Sequence, residues 1–172
     1  MALVEIDKVV DTIITFIEYQ RPVFDTIIDT YFENRRLNIF VGRRPSIPAS
    51  SLPSIEVTPV GDSVKWAFCR VQENNPRIEI DITTDNGHPE QAVRLESRLV
   101  TLVTQILAAP PALRAGLVRG YRSLQDSLPE GVTYGTADNG RMRVATVSWT
   151  GNILTYLSDE MFSEPLRIGT DW

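Results

Sequence analysis

The sequence predicts an α+β fold, a two-layer sandwich in which a mostly antiparallel sheet packs on a long N-terminal helix and a central helix. Three observations lead there. Apolar residues recur at helical spacing in two long stretches, alternating apolar and polar residues mark several strands, and proline, glycine and asparagine clusters punctuate the chain between them. With 172 residues, 42% of them hydrophobic and 23% charged, the chain suits a single domain over 1–172 with a real core.

From Val4 to Phe32 the residues Ile6, Val10, Ile13, Ile17, Phe24, Ile27 and Tyr31 form one helical stripe, widened by Ile14, Val23 and Ile28. Pro22 interrupts it, so a kink or a break into two helices is expected near Gln20 or Arg21. A face this wide belongs to the core or to another subunit. Leu37 to Val41 reads as a short strand, and 42–53, with three prolines among serines and arginines, reads as an extended proline-rich loop or arm. Ser54 to Val60, Val64 to Gln72 and Arg77 to Thr84 then read as three strands, with turns at Gly61-Asp62 and Asn74-Asn75-Pro76. Ile78, Ile80 and Ile82 share one face of the last strand, while Glu79 and Asp81 share the other, which reads as a solvated face.

The covering helix follows at once. Asn86 to His88 suit a helix cap, Pro89 the first helical position and Glu90 the first turn, with Val93, Leu95, Leu99, Leu102, Val103, Ile106 and Leu107 as the apolar face. Pro110 and Pro111 stop it. The stretch from Leu113 to Glu130 holds a short helix or an edge strand. Val132 to Tyr134 and Met142 to Trp149 flank Asp138-Asn139-Gly140, a strong hairpin signal because these residues tolerate positive φ. Leu154 to Phe162 reads as either strand or helix, and 163–172 as a C-terminal tail.

Composition narrows the chemistry. One histidine, His88, and one cysteine, Cys69, leave little for a zinc site, a Cys-His pair or a Ser-His-Asp triad, so no catalytic residue, metal or cofactor is expected. Asp81, Asp85 and Asn86 before Gly87 do not have the spacing of a calcium loop. No glycine-rich phosphate loop occurs. A net charge of -5 argues against general attraction to nucleic acid, and the N-terminal stretch, with acids inside it, reads as neither secretory leader nor membrane span. Fifteen arginines against two lysines suit planar, bidentate contacts at subunit interfaces, though nucleotide bias or a phosphate-binding patch would leave the same excess. The interface candidates are Arg35, Arg36, Arg43 and Arg44 around the short strand, with Phe40, Pro45 and Pro48 beside them.

Several runs carry a resemblance: Leu52-Pro53-Ser54-Ile55-Glu56-Val57, the strand Ile78 to Thr84, the helix Pro89 to Leu107, and the late hairpin with Tyr134-Gly135, Arg143-Val144-Ala145 and Trp149-Thr150-Gly151. In layout over about Val4 to Leu157 the sequence resembles the tail terminator and head-tail joining (neck) proteins of long-tailed bacteriophages. The resemblance implies a virion protein made in the host cytoplasm and assembled as a homo-oligomeric ring, often sixfold. Its neighbours would be a tail tube protein and a head connector or adaptor, with DNA passing through the lumen without specific binding, no membrane and no cofactor. Residues 112–131 have no counterpart in that family. Two other readings stay open: a small carboxylate-dependent enzyme using Glu79, Asp81 and His88, and a cytoplasmic adaptor holding a peptide at a sheet edge.

Overall fold

In the computed structural model of the chain, which describes residues 6–68, 71–108 and 122–156, the N-terminal apolar stripe is divided at the proline. Helix α1 (Ile6–Tyr19) ends one residue before helix α2 (Arg21–Tyr31), with Pro22 in the first turn of α2, where its missing N–H costs nothing. Arg21 holds the break in place. Its Nε and Nη2 each donate to the Glu18 carboxylate at 2.6 Å, and its Nη1 donates to the carbonyl of Leu37 at the start of the next strand, also at 2.6 Å.

Strand β1 (Asn38–Val41) runs parallel to the start of β2 (Ser54–Phe68), which pairs antiparallel with β3 (Val71–Asp85). Helix α3 (Pro89–Leu107) follows, then β4 (Arg122–Ala137) and β5 (Met142–Tyr156), giving one sheet of order β1-β2-β3-β5-β4. The three helices cover one face. Val9, Val10, Ile13 and Ile17 of α1, Phe24 and Ile28 of α2, and Leu95, Leu99, Val103 and Leu107 of α3 meet Ile55, Val57, Ile78, Ile80, Ile82, Val147 and Trp149 of the sheet. This is the two-layer α+β arrangement expected, and none of the described helices is long and apolar enough to cross a membrane.

The strands expected at Ser54 to Val60, Val64 to Gln72 and Arg77 to Thr84 are two, not three. The supposed turns lie opposite one another in a single ladder, Gly61 beside Arg77, Asp62 beside Pro76 and Ser63 beside Asn75. The pairing slips between Pro59 and Gly61, so the glycine marks a bulge rather than a reversal. Pro76, with no N–H to give, falls where the pairing of β3 with β5 skips from Arg77–Thr150 to Asn74–Ile153. β4 is likewise much longer than Val132 to Tyr134, so the stretch up to Glu130 is edge strand from Arg122 onward, while 109–121 lie outside the described residues.

The reversal between β4 and β5 is the one expected, with Asp138, Asn139 and Gly140 at φ 48°, 53° and 84°. Of Leu154 to Phe162, residues 154–156 are strand, and the rest, together with the expected tail 163–172, lie outside the described residues. Gly151 is required by packing. A Cβ there would stand 2.6 Å from Cη2 of the buried Trp149. One charged pair also sits on the helix side, where Nε and Nη2 of Arg143 donate to Oε2 of Glu96 on α3 at 3.0 and 2.8 Å.

Candidate functional site

The face of the sheet turned away from the helices carries Glu56 on β2, Glu79, Asp81 and Thr83 on β3, and Val144 and Thr146 on β5, as strand alternation requires once the isoleucines point inward. It is not the solvated face expected. Glu56 and Asp81 are each only 4% exposed. The cover is the chain after β1. Gly42, at φ +77°, reaches a left-handed conformation open to glycine and turns residues 43–48 across the sheet.

Arg43 anchors this arm. Its Nε donates to Oδ2 of Asp81 at 2.9 Å and its Nη2 to Oε2 of Glu79 at 3.0 Å, while Thr146 Oγ1 donates to the other oxygen of Asp81. The hydrogen bond to Asp81 and the charge behind it push the Arg43 pKa further up. One residue on, the backbone N–H of Arg44 donates to Oε1 of Glu56 at 2.7 Å, and its guanidinium lies over the Phe40 ring, 3.8 Å from the centroid. Arg35 fixes the far end of the arm through the carbonyls of Ala49 and Leu52, at 2.9 and 3.2 Å, with Asp85 at 3.5 Å.

Beneath the arm is a cavity of about 440 Å³. Glu56, Asp81 and Thr83 lie on the sheet side, Pro45 and Ile47 on the arm side, and Met142 and Val144 close it from β5. A second cavity of about 650 Å³ continues past Ile47 between Pro48, Asp85 and the 138–142 turn.

The residues expected at an interface therefore divide. Arg35 and Arg43 bond within the chain, Arg44 covers Phe40, Pro45 and Pro48 line the two cavities, and Arg36 is exposed, 3.8 Å from Asp29. His88 stands exposed before α3 and does not line the cavity that holds Asp81. Among the described residues no group of three His, Cys, Asp or Glu could hold a metal ion.

Sequence reading missed the sheet edges. β1 pairs only with 54–57, so among the described residues β2 has no neighbour on that side from Thr58 onward, and Val60, Val64 and Trp66 stand 47%, 46% and 60% exposed along this stretch. The opposite edge is β4, with Tyr134 59% exposed. The length of the hairpin was the missing signal, hidden because its bulge reads as a turn.

No protein-family model matches the chain. No curated protein matches it either. Among solved structures it is similar to a chain of a particle described as the virion of a native gene transfer agent, at 14% identity and a TM-score of 0.45, over 79% of this chain and 90% of that one.

Proposed function

We propose that the chain is a structural virion protein that assembles into a homo-oligomeric ring at the head–tail junction of a phage-like particle, as a tail terminator or neck subunit. The observation that carries this reading is the pair of unlike edges that are open among the described residues of one sheet, the long stretch of β2 past Val57 with its bare Val60, Val64 and Trp66, and β4 on the other side. An open edge with exposed apolar side chains is a pairing surface, and two unlike edges on one subunit make a head-to-tail contact. Such contacts close into a ring when the rotation divides a full turn. The sequence layout supports the same reading.

A tail tube protein on one side of the ring and a head connector or adaptor on the other are the partners proposed. A net charge of -5 per subunit suits a channel that DNA crosses without the counterion release that drives sticking. The carboxylate-enzyme reading fits less well. Asp81 is tied to Arg43 and Thr146, and His88, the other group that reading needs, does not line the cavity beside it.

Light scattering on a sizing column at several protein and salt concentrations tests the proposal. A discrete closed oligomer that Trp66→Ser reduces to monomer is the expected result. A strict monomer that also fails to form rings in the presence of isolated tail tubes would overturn it.

A further inference from the structure

We infer that the cavity beneath the 43–48 arm is a receptor for one arginine side chain presented by another protein chain. Glu56 carries the inference. Its side chain belongs to a residue only 4% exposed and lines the cavity, Oε1 accepts the Arg44 N–H at 2.7 Å, and among the described residues no other hydrogen bond or ion pair reaches the carboxylate. Both arginines of the arm are committed elsewhere, Arg43 to Asp81 and Glu79, and Arg44 to the Phe40 ring. The charged lining is Glu56, Asp81 and Asp138 against Arg43 and Arg44, which leaves one negative charge in excess. Oε2 of Glu56 is thus left without a hydrogen-bond or ion-pair partner among the described residues at the cavity wall, and one monovalent cationic group would balance the excess charge of the lining.

The chemistry of the walls selects the cation. No three carboxylate or imidazole groups among the described residues converge on a metal, and a divalent ion would overshoot the single excess charge. Pro45 and Ile47 face Met142 and Val144 across the cavity, apolar walls that suit the flat, weakly hydrated guanidinium better than a compact, strongly hydrated ammonium. Its edge would then meet Glu56 Oε2, with the Thr83 hydroxyl on the same floor as a second acceptor. The three-methylene stem would lie between the apolar walls.

The site is tested on the whole protein, ¹⁵N-labelled, by titrating N-acetyl-arginine methylamide and following backbone amide shifts. Saturable shifts at Arg44, Glu56 and Asp138 are expected, with N-acetyl-lysine methylamide binding at least tenfold more weakly and Glu56→Gln losing at least tenfold in affinity. Val144→Lys, which brings a cation into the cavity from its own wall, is expected to abolish binding, and it keeps the test open if Glu56→Gln fails to fold. The proposal is overturned by an absence of saturable shifts, by equal affinity for the lysine probe, by unchanged binding in either variant, or by tighter binding of free L-arginine than of the blocked form. None of these readouts depends on ring formation.

Discussion

The two halves of the β2–β3 hairpin are continuous in hydrogen bonding and opposite in use. In the first half, Ile55, Val57, Ile78, Ile80 and Ile82 are fully buried under the helices, while Glu56 and Asp81 on the other face are strapped down by the 43–48 arm. Past the bulge at Pro59/Gly61 every residue from 61 to 66 is exposed, Val64 and Trp66 included. The core holds the first half. In the function proposed above, this exposed stretch is the surface that pairs with another chain.

Substitutions should separate the halves. The largest expected effect is at the core, where Trp149→Ala should cost about 3–5 kcal/mol in urea unfolding by leaving an unfilled cavity. Gly151→Val should be nearly as damaging, because its side chain would collide with the same indole. Next comes the buried pair on the helix side. Arg143→Met leaves Glu96, 1% exposed, without its cation, and about 3 kcal/mol should be lost, most of it recovered when Glu96→Leu is added.

Arg43→Ala should cost only about 1 kcal/mol, since its guanidinium side is largely exposed, but it should free the arm and speed proteinase K cleavage within 43–48 in the native state. Unchanged cleavage would mean that the arm is held by its remaining contacts. Trp66→Ser should change stability by less than about 0.5 kcal/mol while abolishing the oligomer proposed above, the outcome that most sharply distinguishes the two halves. If it unfolds the chain instead, the far half belongs to the core after all.

The smallest effect is a pH dependence at the α1–α2 break. Hydrogen bonds from Arg21 hold the Glu18 pKa below its ordinary value of 4.5. A depressed carboxylate favours the folded state above its unfolded pKa and loses that contribution as pH falls through the lower folded value. Glu18→Gln should therefore lower stability slightly at neutral pH and flatten its fall below pH 4.5, the two proteins converging at low pH, as a pH series of urea midpoints would show.

Much of the fold was legible because its signals are local. Pro22 splits the first helix and Pro89 starts the last, whatever surrounds them, since φ and the missing N–H belong to the residue itself. Asp138-Asn139-Gly140 turns the late hairpin for the same reason. Gly61-Asp62 and Asn75-Pro76 misled because the same residues serve a turn or a bulged strand equally well. Which of the two they form depends on the strand opposite.

The candidate site was only half legible. Arg43, Arg44 and Pro45 stood out by composition, and Glu79 and Asp81 by alternation, yet nothing local joined the two groups. The sequence alone determined the helices, the inward isoleucine face and the late reversal, all set by periods of two or 3.6 and by backbone preferences of single residues. Only the tertiary structure decided that Arg43 would meet Asp81 from 38 residues away, that Glu56 would be buried beside a cavity, and that β2 would outrun β1 and leave its edge bare. Each of these depends on where a distant segment packs, and pairing between distant segments leaves no period in the chain.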